Sequence, residues 1–184
     1  MGRRLNPFVP SPLDVVVKAL GEAGLERDRV LVDLGSGDGR VPIAAARHFG
    51  ARAVGVEVNG RLVEHSLRIS RSMGLRNVAF VEGDARYVDL NGVDFVYAYL
   101  TTEALEVLKP ALLTAGRDAV VITHGYKIRG WTPREVLRIW SDTSYRYHTF
   151  YVYRVGDVKR SPEERSGQSG IRALRIDEFV PEPL

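Results

Sequence analysis

Val32-Asp33-Leu34-Gly35-Ser36-Gly37-Asp38-Gly39 is the stretch on which the reading of this chain turns. A β-branched apolar run, Arg29–Leu34, leads into it, and a helical pattern, Arg40–Phe49, leaves it and stops at Gly50. Glycines between a strand and a helix let the backbone turn tightly and come close to a ligand. The helix N-terminus behind them offers amide donors and the positive end of a dipole, suited to a carboxylate or phosphate. The dinucleotide fingerprint GxGxxG, begun at Gly35, needs glycine at position 40, where this chain has Arg40. Asp33, two places before the first glycine, would repel a phosphate and suits an ammonium group instead.

Outward from this loop the chain alternates. Ser11-Pro12-Leu13-Asp14 reads as a helix start with Ser11 as N-cap, and Gly24 closes that helix. After the loop come a strand at Ala53–Val58, a helix at Gly60–Met73 stopped by Gly74, and strands at Asn77–Val81 and Val93–Leu100. Thr101–Ala115 is a helical pattern that Pro110 is expected to kink or split, and Asp118–His124 is a further strand. Such alternation means βαβ units and a parallel sheet covered on both faces. Arg134–Trp140 and Tyr145–Val155 then follow each other with only Ser141–Ser144 between, which forces an antiparallel hairpin. The expected fold is α/β, a mostly parallel seven-stranded sheet with helices on both faces and a C-terminal antiparallel hairpin. That is the Rossmann-like plan of class I methyltransferases.

On that plan the ligand is S-adenosylmethionine (SAM). Gly35, Ser36 and Gly37 cradle its methionine end, and Asp33 faces its α-ammonium directly or through water. Glu57, with Val58 beside it, ends the second strand of the alternating set, where a carboxylate accepts hydrogen bonds from two ribose hydroxyls. Gly83-Asp84-Ala85 follows the third, where Asp84 can accept from the adenine amine and the Ala85 amide can face a ring nitrogen. The order and strand placement of the three elements are more specific than any one of them.

The acceptor side is read from Tyr97-Ala98-Tyr99-Leu100-Thr101-Thr102, just beyond the fourth strand. Tyr97 and Tyr99 point the same way. Tyr97 is assigned to the cofactor side, and Tyr99, Thr101 and His124 are the candidate catalytic residues. An aromatic wall with hydroxyls could hold a cationic amine. His124 could help deprotonate an acceptor. Each also has a plainer reading, as core tyrosines, a helix N-cap and a structural histidine, and Trp131 reads as a packing residue. The NPPY or DPPY element expected of enzymes that methylate base amines in DNA is absent.

The 184 residues suit one compact domain. With no cysteine there is no disulfide, thiol nucleophile or thiolate metal site, and the four histidines make no metal-binding pair. No apolar run approaches the ~20 residues of a membrane span, and the start lacks a signal-peptide h-region. The expectation is a cytoplasmic protein with no membrane association, a monomer with no metal. Few sulfur-containing residues and many arginines suit a heat-adapted protein. Residues 124–154 carry Lys127, Arg129, Arg134, Arg138, Arg146 and Arg154 against Glu135 and Asp142. That stretch reads as a solvated sheet edge or as a surface for RNA or an acidic partner.

Several segments together resemble a lysine methyltransferase family that includes archaeal protein-lysine methyltransferases and the mitochondrial enzymes that modify the c-subunit of ATP synthase and the adenine nucleotide translocator. They are Pro7-Phe8-Val9-Pro10-Ser11-Pro12, the glycine loop through Arg40, Leu108-Lys109-Pro110-Ala111-Leu112, and His124–Pro133 with its Gly130-Trp131-Thr132-Pro133 ending. The resemblance covers residues 7–133. It implies SAM as donor and protein lysine as acceptor. It also implies that Phe8–Ser11 close over the cofactor, with the Ser11 hydroxyl near the methionine carboxylate or the acceptor pocket. The chain departs from its relatives at Tyr97-Ala98-Tyr99, where they often carry Phe or Leu, and after residue 157.

The expected organisation is therefore a methyltransferase domain over 1–157, whose residues 1–28 form an arm and helix closing over the cofactor, and a flexible tail over 158–184. Within that tail Ile171–Leu184 could form a short strand or stay loose. The leading function is methylation of lysine side chains in protein substrates. RNA methylation is the alternative, and small-molecule methylation or a non-catalytic partner protein are further ones.

Overall fold

The computed structural model describes residues 9–158 and 173–183. Seven strands form the main sheet: β1 (Val30–Leu34), β2 (Arg52–Glu57), β3 (Val78–Glu82), β5 (Phe95–Ala98), β6 (Val120–His124), β7 (Glu135–Ser141) and β8 (Arg146–Arg154). Their order is β3-β2-β1-β5-β6-β8-β7, and the short strands β4 (Val88–Asp89) and β9 (Leu174–Arg175) pair separately. The helices are α1 (Leu13–Glu22), α2 (Arg40–Phe49), α3 (Gly60–Ser72) and α4 (Thr102–Leu112). All pairings from β3 across to β6 are parallel. The hairpin is present, but β8 inserts between β6 and β7 and runs antiparallel to both. The outermost strand β7 therefore runs with the central strands. The chain order alone does not give that insertion.

Period-2 alternation along each strand sorts the core into two layers. Val30, Val32, Leu34, Val54, Val56, Val96 and Val121 meet Leu105, Leu108 and Leu112 of α4. Leu31, Ala53, Phe95, Tyr97, Ile122 and Phe150 meet α1 and α2 through Val15, Val16, Ala19, Leu20, Val41 and Ala45. Helix α3 packs through Val63 with Ile43 and Phe80. These strands are buried on both sides, which is why they read as continuous apolar runs rather than alternating ones.

Two details differ from expectation, and a third choice left open is decided. Helix α4 runs unbroken through Pro110, which sits in its last turn, so only the Glu106 carbonyl loses an amide partner. The N-cap of α1 is Pro12, without a side-chain cap, because the Ser11 hydroxyl is bonded elsewhere. Of the two readings open for Ile171–Leu184, the short strand is the one seen in the described part, 173–183. β9 pairs in parallel with β4, and Ile176 is fully buried in the α4-side layer. The expected flexible segment 159–170 lies outside the described residues, as does Phe8.

Candidate active site

The sheet order reverses between β1 and β5, and at such a switch point the loops leave a crevice outside the carboxyl ends of the strands. Here the crevice is a cleft of about 860 Å³, solvent at its mouth included. Ser11, Asp33, Gly35, Ser36, Glu57, Val58, Asp84, Ala85, Tyr97 and Tyr99 all line it. The structure thus gathers ten of the expected positions from five separate segments. Val9, Asp38, Arg40, Leu62 and Leu100 line it as well.

The glycine loop is shaped by φ values that other residues avoid. Gly35 has φ +82°, and a β-carbon there would meet nothing nearer than Leu100 at 3.5 Å, so bare backbone faces the cleft. Gly39 opens α2 at φ +78°, and a β-carbon there would fall 2.6 Å from both Phe80 and the Ser66 hydroxyl. Gly37 does not line the cleft. Its amide donates to Glu57 Oε2 at 3.0 Å, and the Asn59 amide donates to Oε1 at 2.9 Å. Two backbone donors hold the Glu57 carboxylate at the cleft wall, and each oxygen keeps a further lone pair. Asp84 is paired with Arg86 and accepts the Arg86 amide at 3.0 Å, which keeps its carboxyl below the ordinary range.

Asp33 is different. It is 3% exposed at the end of β1. Burial, then the charges of Glu57 and Asp38, raise its carboxyl well above the ordinary value. A buried acid beside other acids is a site that awaits a cation. The Ser36 hydroxyl is buried without a partner among the described residues.

Arg40, which local pattern alone did not single out, ties the site together. It donates from Nε to Asp38 at 2.9 Å and from a terminal nitrogen to the Ser11 carbonyl at 3.2 Å. It fastens the segment before α1 to the glycine loop. A signal for this role exists in the sequence, because an arginine at the positive end of a helix dipole is unfavourable unless an acid or carbonyl engages it.

On the acceptor side, Ser11 Oγ and Tyr97 Oη are 3.0 Å apart, and each lies 3.1 Å from His124 Nδ1. His124 is 1% exposed and does not line the cleft, so it does not meet an acceptor directly. It sits behind the Ser11–Tyr97 pair, stacked between Tyr99 at 4.0 Å and Phe150 at 4.4 Å. Burial first, then His148 and Arg146, lower its imidazole to about 3. Burial also raises the Tyr97 phenol well above its usual value. Thr101 lies outside the cleft, and its hydroxyl caps α4 by accepting the Ala104 amide at 3.3 Å. Trp131 packs edge-on against Tyr153.

The basic stretch is largely spoken for. Arg129, Arg134 and Arg154 pair with Glu103, Asp157 and Asp118, all outside the stretch. Lys127 and Arg138 lie over the rings of Tyr151 and Tyr147. No described helix is long and apolar enough to cross a membrane. No described cluster of His, Asp or Glu could hold a metal ion.

Comparison with known proteins agrees with this architecture. The ANTKMT methyltransferase domain matches residues 33–135. A protein-lysine N-methyltransferase of Saccharolobus islandicus is 36% identical over 156 residues, spanning 83% of this chain and 96% of that protein. The lysine N-methyltransferase of the ATP synthase c-subunit from Xenopus laevis is 31% identical, over 84% of this chain and 68% of that protein. Among solved structures, an RNA methyltransferase from Salinibacter ruber in complex with S-adenosyl-L-homocysteine superposes with a TM-score of 0.74. It is 31% identical and covers 84% of this chain and 97% of its own. With the family domain over more than half its length and the Saccharolobus protein matched almost end to end, the chain belongs to the ANTKMT methyltransferase family.

Proposed function

We propose that the protein transfers methyl groups from SAM to the side-chain amine of lysine in protein substrates. The observation that carries the reading is the set of three carboxylates, Asp33, Glu57 and Asp84, at the ends of three adjacent strands and on one cleft. The residues fit SAM by their chemistry. Asp33 is a buried acid whose nearest charges are other acids, the Glu57 oxygens have lone pairs to spare, Gly35 presents bare backbone, and Val58, Leu62 and Ala85 give apolar surface for a flat base.

When bound, SAM supplies a methyl group already activated on a sulfonium. The protein's task is then placement and proton management. Asp33 takes the α-ammonium, Glu57 the ribose hydroxyls, and Asp84 with the Ala85 amide the adenine edge. Ser11, Tyr97 and Tyr99 form the wall against which an amine is held, and the burial of Ser11 and Tyr97 removes water there, which favours the neutral amine over the ammonium. Val9–Ser11, held by Arg40, covers one side of the cleft. The protein-lysine N-methyltransferase name of the Saccharolobus relative supports lysine as acceptor.

One observation favours RNA as a second reading, namely that the Salinibacter neighbour is named an RNA methyltransferase. The test is incubation with methyl-labelled SAM and an extract of the source cells, followed by protease or ribonuclease. Label released by protease and recovered as methyl-lysine is the expected result. Label released only by ribonuclease would overturn the lysine assignment.

A further inference from the structure

A line of hydrogen-bonded groups leads from the cleft wall to the surface. It begins at Ser11 Oγ and Tyr97 Oη, both in contact with His124 Nδ1. On the far side of the same ring, Nε2 lies 2.8 Å from His148 Nδ1. His148 Nε2 lies 2.7 Å from Ser144 Oγ, and Ser144 is half-exposed in the turn between β7 and β8. His148, like His124, is buried. Two imidazoles facing each other at this distance satisfy one another only as a donor and an acceptor, with matched tautomers. Every group in the line can both give and receive a proton.

The geometry points to a proton exit: the proton that the acceptor ammonium must lose before methylation leaves the covered cleft through Ser11 and Tyr97, His124, His148 and Ser144. This rests on the lysine reading, because only an acceptor that enters protonated needs such a route. In each passage an N–H bond of the ammonium breaks, and the amine keeps the electron pair. The proton joins a hydroxyl oxygen of the Ser11–Tyr97 pair, and the pair's own proton passes to His124 Nδ1. The Nε2 proton of His124 passes to His148 Nδ1, that of His148 Nε2 passes to Ser144, and the Ser144 hydroxyl proton passes to water. One proton enters and one leaves, and both rings end neutral with their tautomers exchanged. In the exchanged state His148 Nε2 accepts from Ser144 and from Arg146 Nε at 3.4 Å. After product leaves, the reverse shift restores the line: surface water gives a proton to Ser144, and water in the open cleft takes one from the Ser11–Tyr97 pair.

The surroundings suit passage rather than storage. Tyr97, Tyr99, His148 and Arg146 face His124, and burial with the last two holds its imidazole at about 3, so it is neutral at physiological pH. Around His148 stand His124, Arg146, Ser144 and, from α1, Asp14. Burial and Arg146 lower its titration, and Asp14 partly opposes them.

His148 does not line the cleft, so it can be changed without rebuilding the cleft. Single-turnover methylation of a lysine substrate at saturating SAM would be compared for wild type, His148→Gln and His148→Phe between neutral pH and about pH 10, near the free lysine value. Glutamine can keep both hydrogen bonds but passes no proton as an imidazole does. Both variants are expected to be slower than wild type at neutral pH by at least about tenfold, at the low end of proton-transfer effects. The gap should close at high pH, where lysine arrives deprotonated, and SAM affinity should not change. A His148→Gln enzyme as fast as wild type at neutral pH, or a deficit that persists unchanged at high pH, would overturn the exit. A wild-type protein that binds SAM but methylates no lysine would overturn the lysine reading, and the exit with it.

Discussion

Acidification is expected to weaken the fold through His124, and the amount can be worked out. In the unfolded chain the imidazole titrates at 6.5, whereas in the native protein it titrates at about 3. Between those values the unfolded state binds a proton that the native state refuses. Stability therefore begins to fall as pH drops through 6.5, and this loss levels off only below about 3. Going from about pH 7.5 to about pH 5 protonates most unfolded molecules and few native ones, which costs about 2 kcal/mol. With a urea slope of about 2 kcal/mol/M, the unfolding midpoint should move down by about 1 M. The assay is urea unfolding followed by fluorescence at both pH values, for wild type and for His124→Gln. Carboxylates contribute to the pH dependence of both proteins, so the difference between them isolates His124. If His124→Gln loses as much stability on acidification as wild type does, the neutral buried imidazole is refuted.

Asp33→Asn should weaken SAM binding by about 10- to 100-fold through loss of a charged hydrogen bond, without lowering the melting temperature of the free protein. Calorimetry and thermal unfolding would show both. Because the Asp33 carboxyl is raised, wild-type SAM affinity should increase with pH as the group ionises, and binding should release a proton, visible as a buffer-dependent heat. A pH-independent dissociation constant would contradict this. Gly39→Ala should destabilise by about 2 kcal/mol or more, since it combines a left-handed backbone with a β-carbon 2.6 Å from Phe80 and Ser66. Its unfolding midpoint tests this. Ile176→Ala should cost about 2–4 kcal/mol for a fully buried side chain, measured by denaturant unfolding, and a near-neutral result would mean that 173–183 does not support the domain.

What was legible in the sequence is what local spacing encodes. The glycine loop, Glu57 and Asp84 each follow a strand, and once the strands are read as parallel their ends must converge on one side of the sheet. What was not legible depends on partners distant in the chain. Ser11 lies 86 residues from Tyr97 and 113 from His124, and no local pattern says that its hydroxyl serves them rather than the helix that follows it. His124 was placed on the correct strand end, but which face of the wall it occupies was set by Tyr99 and Phe150 packing on either side. The sequence leaves Ile171–Leu184 open between a short strand and a loose segment, because the choice rests on distant partners: Leu174 and Ile176 find β4 and the α4-side layer.

The insertion of β8 between β6 and β7 has a consequence for how the molecule comes into being. Every described residue lining the cleft lies between positions 9 and 100. The hairpin, closed by a turn of its own, joins the sheet along β8, its later strand. During synthesis the chain emerges N-terminal end first. The segments proposed to hold the nucleoside are therefore synthesised before His148 or Ser144. The described residues that line the cleft are thus made early, and the groups that connect it to the outside only when the hairpin follows.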